Sequence, residues 1–270
     1  MLGAATQQIK DDPDMRVVSA EATGVLFMRF SDMQKPGGFF YDKRVRKAFN
    51  LAVNRQGIAN GIYYGEALPC QNFTLFPWHP WYDPTWEIWP YDPVQAKALL
   101  AEAGYPFDRV LEVVAGKGGS SAFAPEVSEA VCGDLLKVGV KTKFQELEGG
   151  VYWGKFRDGA FKDMLPMHMT TMSFGPCRNY THVVSSGPYV KAYYSNPWLD
   201  EQVLKLQTLL DEKEAKALAL QLTQWLVYEE IQYMPVLWTN TVMGARKEIV
   251  EWKPWAGCPL PSAYETIKLK

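Results

Sequence analysis

YDKRVRKAFNLAVNRQGIANGIYYGEA (residues 41–67) and YDPVQAKALLAEAGYP (91–106) are the two stretches whose reading decides the fold. Val45, Ala48, Phe49, Ala52 and Val53 recur at helical spacing behind Asp42. Asn54 interrupts them and caps a second helix that stops near Gly65. In the later stretch Asp92 is an N-cap, Pro93 takes the first helical position and Gln95 completes a capping box. Ala96, Leu99, Leu100 and Ala103 line one face, and Gly104 ends the helix.

Between these helices lies a loop, 66–91, with Phe76, Trp78, Trp81, Tyr82, Trp86, Trp89 and Tyr91 among five prolines. A loop of that length serves a function or packs on itself. Upstream, MRVVSAEATGVLFMRF (15–30) reads as two strands, about 15–20 and 25–30, on either side of Gly24. Downstream, strand 109–115, amphipathic helix 125–139 and strand 140–147 make a βαβ unit, which favours a sheet with helices on its faces. A short helix over 151–158 and a strand over 163–174 follow. Asn196-Pro197 opens a helix, Asp211 and Glu214 open another, and a strand starts at Pro235. The tail, 247–270, is short strand and loop.

Composition narrows the function. The chain has 270 residues, 47% of them hydrophobic and 14% aromatic, enough for a sizeable core. A formal net charge of −2 without a basic block argues against a nucleic-acid binder. No stretch approaches about 18 consecutive apolar residues, so no transmembrane helix is implied. The first residues lack the pattern of a secretory signal peptide: the protein is cytoplasmic, or its leader is missing. Four cysteines, Cys70, Cys132, Cys177 and Cys258, lie too far apart for a zinc motif. They read as buried thiols or as one disulfide. No metal site and no cofactor is expected.

No catalytic motif stands out among three histidines, His79, His168 and His182. GKGGSS (116–121) lacks the spacing of a phosphate-binding loop.

Four phrases in order carry a resemblance. They are Asp42-x-Arg44-Val45-Arg46-x-Ala48 with Ala52-Val53-Asn54-Arg55 and Ile58, then Tyr91-Asp92-Pro93 with Ala96-Lys97, Leu99-Leu100 and Ala103-Gly104-Tyr105. Asn196-Pro197 with Asp200 comes next, and Met234-Pro235-Val236-Leu237 last. Together they resemble extracytoplasmic solute-binding proteins of family 5, receptors of peptide, nickel and oligosaccharide ABC importers. The resemblance implies an α/β fold: a periplasmic-binding-protein-like type II lobe, a mixed sheet flanked by helices, with partial segments of the other lobe. It divides the chain into the end of a first lobe and hinge strand (1–23), a second lobe (24–239) and a return segment (240–270). The expected role is capture of a small solute by a monomer, lobe closure, and delivery to a membrane permease outside the cytoplasm. A missing leader follows from the same resemblance, as does the reading of this chain as a C-terminal half.

In peptide-binding relatives the strand matching DMLPMHMTTMSF (163–174) bears a basic residue, a tryptophan and an aspartate. Here Pro166, Met169 and Met172 fall at those places, which departs from simple peptide binding. A methionine- and aromatic-lined wall suits an apolar or bulky ligand. Candidate ligand residues are Trp78, Trp81, Trp153, His168, Met169, Met172, Phe174 and Arg178, with Asn179 and Tyr180 as further polar groups. The competing readings are that the 76–91 aromatics form a loop core, preferred for most of them, that His168 is structural rather than a ligand or nickel contact, and that the methionines are core. In an alternating strand Met167, Met169 and Thr171 share one face and His168, Thr170 and Met172 the other. Two other function classes remain: a small hydrolase with a dispersed active site, and a stand-alone interaction or sensor module.

Overall fold

The computed structural model describes residues 4–118, 123–171, 180, 194–258 and 261–270. Six strands form the main sheet: β1 (Met15–Arg29), β2 (Ala67–Pro69), β3 (Val110–Lys117), β4 (Lys141–Glu148), β5 (Leu165–Thr171) and β6 (Tyr233–Arg246). Their order is β2-β6-β1-β5-β3-β4. β3 runs parallel to β4 and β5, and the remaining pairings are antiparallel, so the sheet is mixed. A small ribbon pairs β7 (Ile249–Glu251) with β8 (Lys268–Leu269). The helices are α1 (Ala4–Asp11), α2 (Lys43–Ala52), α3 (Arg55–Tyr63), α4 (Pro93–Glu102), α5 (Ala124–Lys137), α6 (Gly149–Arg157), α7 (Pro197–Thr208) and α8 (Glu212–Gln224). α8 continues into one π-helical turn, Trp225–Glu229.

Local chemistry sets most helix starts. The Asp92 carboxylate accepts the Gln95 N–H at 2.8 Å, and Gly104 ends α4 at φ +67. Asn196 accepts from Leu199 at 3.2 Å, and Asp211 accepts from Glu214 at 2.9 Å. Asn54 caps α3 through the Gly57 N–H at 2.9 Å. Its own N–H donates to Asp134 on α5 at 2.8 Å, so the cap also ties two helices together.

The sheet's two faces bury different things. On one, Leu26, Met28, Val113, Ala115 and Met167 pack against Ala48, Phe49, Leu100, Val127 and Val131 from α2, α4 and α5. On the other, Val25, Phe27, Tyr233 and Trp238 meet Phe73, Phe76, Leu199 and Leu222. α6 covers β3 on that second face through Tyr152 and Phe156 against Val114. A separate small cluster, Val18, Ala20, Met243 and Ala245, lies at the far end of β1 and β6.

Two arginines of the helix phrases lock α2 and α3 to the chain entering β6. Arg46 donates to the carbonyls of Phe40 (2.7 Å), Ile231 (3.1 Å) and Glu230 (2.7 Å), and pairs with the Glu230 carboxylate at 3.1 Å. Arg55 donates to the Pro235 carbonyl (2.7 Å), the Asn50 carbonyl (2.8 Å) and the Asn50 side-chain oxygen (2.8 Å). A buried guanidinium persists only when its donors are answered in this way. Burial pushes Arg55 down to about 10, which leaves it charged at neutral pH.

The expectation of two strands at 15–20 and 25–30 needs correction, because β1 runs through. Its break falls at Ala22, not Gly24: Ala22 is left-handed at φ 46, and the register with β6 slips between Ala20 and Gly24. The Asn240 side chain accepts the Ala22 N–H at 3.0 Å, so this donor keeps a partner across the bulge and the strand continues. β2, α1 and the π-helical turn had no counterpart in the sequence reading. α6 begins at Gly149, earlier than 151, because Glu148 caps it by accepting the Val151 N–H at 3.1 Å.

Candidate functional site

The densest ring cluster sits where β5 meets α6. Register places His168 opposite Phe27 of β1, and Met169 opposite Leu26. His168 is 2% exposed. Its imidazole lies 4.7 Å from the Phe27 ring, 4.6 Å from Phe156 and 5.2 Å, edge-on, from Trp153. Tyr152 fixes α6 over the strand by donating to the Met167 carbonyl. Trp153, one residue on, stays half-buried with its ring against this cluster.

Arg29 joins the same face, two residues beyond Phe27 on β1. It is 4% exposed, and its guanidinium lies 5.4 Å from the centre of Phe156 and 5.3 Å from that of Tyr233. Sequence reasoning passed over Arg29. The signal was present: a basic residue stands in step with Phe27 at the end of the apolar run 24–28. Burial pushes the Tyr233 phenol up to about 12, so it is neutral here.

Trp78 and Trp81 belong to a second aromatic group around His79, with ring centres 6.1 and 5.4 Å from that imidazole. Burial lowers the His79 pKa, favouring the neutral ring. It accepts the Trp81 N–H on Nδ1 at 3.1 Å. Trp78 donates its indole N–H to the Ala22 carbonyl at 3.1 Å and presses on Gly257, where an added Cβ would stand 2.3 Å from the ring. Phe73, Phe76 and Cys70 of the loop are fully buried. The buried part of the 66–91 loop therefore completes the core on the sheet's second face.

Of the sequence candidates, Trp153 and His168 come together, and Trp78 and Trp81 form the separate group. Met169 holds a backbone position on β5. Met172, Phe174, Arg178 and Asn179 lie outside the described residues. Tyr180 is buried, and its hydroxyl is committed to the Ala219 carbonyl (2.7 Å) and Thr223 (2.6 Å), so it serves the core. Met167 is core, packed with Leu26 and Met28. Cys70, Cys132 and Cys258 are free thiols, and Cys177 lies outside the described residues. Among the described residues no group of three or more metal-ligating side chains converges, and no helix is long and apolar enough to cross a membrane.

A mixed sheet with helices on both faces, entered and left through the long neighbouring strands β1 and β6, fits the resemblance read from the four phrases. The profile of bacterial extracellular solute-binding proteins, family 5 (Middle), matches residues 2–189. The chain belongs to this family. Among curated relatives, this family 5 protein is 30% identical over 154 residues to heme-binding protein A of Haemophilus influenzae, covering 56% of this chain and 27% of that protein. It is 26% identical over 257 residues to di/tripeptide-binding protein 2 of Pseudomonas aeruginosa, covering 89% of this chain and 45% of that protein. Among solved structures, it matches a putative peptide-binding protein AppA from Clostridium difficile with a TM-score of 0.84 at 16% identity, over 100% of this chain and 56% of that one. The periplasmic binding protein DppA from Helicobacter pylori, in complex with the peptide STSA, matches with a TM-score of 0.79 at 20% identity, over 100% and 52%. These two likenesses bear on the fold. The chain spans about half the length of those structures, and less than half of the two curated relatives.

Proposed function

We propose that this family 5 chain supplies one wall of the solute cleft in the substrate-binding component of an ABC importer, and that its solute is bulky and largely apolar. The observation that carries this reading is the cluster of Trp153, Phe156, Phe27 and His168 beside Arg29, on the sheet face away from the α2–α5 core. Aromatic walls supply apolar burial, and a few polar groups fix orientation. Relatives named for heme and for di- and tripeptides support a solute of this size class. Trp153 is the first-choice contact because it is half-buried while its neighbours are sealed. His168 and Met169 lie on the same strand, and Met172, Phe174 and Arg178, which follow in sequence, stay part of the proposal. Trp78 and Trp81 stay as more distant platforms. Delivery to a membrane permease outside the cytoplasm, with binding as a monomer, completes the proposed role.

The division at 23/24 and 239/240 is part of the proposal. Two observations support it: the register break between Ala20 and Gly24, and the separate cluster of Val18, Ala20, Met243 and Ala245 beyond it. Closure about that break would be a hinge motion.

A thermal-shift screen of this chain with hydrophobic dipeptides, haem, nickel and acidic peptides tests the solute class. Stabilisation by the apolar members that falls at least about tenfold in apparent affinity in Trp153→Ala is expected. A response confined to nickel or to acidic peptides, or one indifferent to Trp153→Ala, overturns the reading.

A further inference from the structure

A notch between α7 and the end of α8 has a chemistry that the proposed cleft does not use. Its volume is about 270 Å³, and it is lined by Trp198, Gln221, Trp225 and Glu229. Two indoles form adjoining walls: the rings of Trp198 and Trp225 lie 5.1 Å apart at 58° to one another. Tyr194 backs the second indole at 6.5 Å. Trp198 is 39% exposed, so the notch opens to solvent.

The backbone explains why these groups converge. Gln221, Trp225 and Glu229 are spaced four apart, which stacks them along one helix face. The π-helical turn falls within that column: the Glu230 N–H reaches back to the Trp225 carbonyl at 2.8 Å, five residues earlier. Such turns widen a helix locally and are frequent at functional sites. Trp198 comes from the first turn of α7, held by the Asn196 cap.

Charge completes the picture. Glu230 pairs with Lys43 at 2.8 Å and Arg46 at 3.1 Å. Its neighbour Glu229, among the described residues, enters no ion pair and borders the indoles. Two adjoining indoles beside an uncommitted carboxylate are recognition elements for a substituted ammonium ion. The ring faces attract the soft cation, and the carboxylate adds a full opposite charge. A neutral ligand of the same shape would gain only the apolar contact.

We propose that the Trp198–Trp225–Glu229 notch binds a quaternary or methylated ammonium group. The test uses the 270-residue chain labelled with ¹⁵N-tryptophan and titrated with choline at constant ionic strength, with 3,3-dimethylbutan-1-ol, its uncharged isostere, in parallel. Trp198→Phe and Trp225→Phe assign the two indole signals. Saturable choline shifts at both indoles are expected, with affinity at least about tenfold above that of the alcohol. Glu229→Gln is an exposed, isosteric change that leaves packing alone, and it should weaken choline about three- to tenfold while leaving the alcohol unaffected. Trp198→Ala should abolish the Trp225 shift. Equal binding of the alcohol, an unchanged choline affinity in Glu229→Gln, or shifts confined to other tryptophans overturns the proposal. Because Trp153 lies on the other cluster, its substitution should leave this titration unchanged, which separates failure here from failure of the solute reading.

Discussion

The buried arginines and the β5 ring cluster both place a basic side chain inside the protein, in different surroundings. Arg46 and Arg55 are answered donor by donor, mainly by backbone carbonyls of segments distant in sequence. Arg29 and His168 lie among the rings of Phe27, Phe156, Trp153 and Tyr233. The first arrangement is closed and specific to the fold. In the second, Trp153 keeps exposed ring area beside sealed neighbours, which is why it is the proposed contact. Arg46, Arg55 and Pro235, three residues of the phrases that carry the family resemblance, take part in the first arrangement.

The sharpest attempt to break this contrast is Arg55→Ala. Removing it strands the Pro235 and Asn50 carbonyls and opens a void, so unfolding free energy should fall by about 3–5 kcal/mol in a urea titration. A loss no greater than that of Trp153→Ala would erase the distinction.

Alkaline pH probes the ring cluster next. Tyr233 is raised from 10.0 to about 12 by burial. A phenol whose folded pKa is raised contributes stability that is complete below pH 10 and is lost as pH climbs through about 12, because the unfolded chain gives up its proton first. The share from Tyr233 is about 2–3 kcal/mol by pH 12. Tyr233→Phe should flatten the fall in stability between pH 10 and 12, followed by circular dichroism. An unaltered slope would show that the cluster does not hold this phenol neutral.

Trp153→Ala should cost less than about 2 kcal/mol, since a half-buried ring leaves a site that water can refill. Phe156→Ala, fully buried in the same cluster, should cost about 3–5 kcal/mol. Parity between the two would mean that Trp153 is core and not wall. The smallest effect is expected at Asp92→Ala, where one cap hydrogen bond to Gln95 is lost and stability falls by about 1 kcal/mol without any change in ligand response.

Sequence legibility followed the range of the physics. Asp92, Asn196 and Asp211 announced their helices because capping is settled within four residues. The βαβ unit was legible from periodicity. β2 was not, because three residues ending in Pro69 carry no alternation and owe their strand to β6. The passage of β1 through Ala22 was hidden for a similar reason: its bulge is satisfied by Asn240, more than two hundred residues away. At the candidate site, Trp153 and His168 were legible as types but not as neighbours, since β5 and α6 meet only through the tertiary fold. Arg29 escaped notice because its local signal, a basic residue in step with Phe27, does not say whether the side chain is buried.

The Trp78 indole touches Ala22 at the kink of β1 and Gly257 near the chain's end, while itself belonging to the aromatic loop. Three stretches remote in sequence therefore share a single pivot point. The Gly257 N–H also donates to the Glu21 carbonyl at 3.0 Å, so a methyl group at 257 that displaces the ring should be felt first at the β1 bulge.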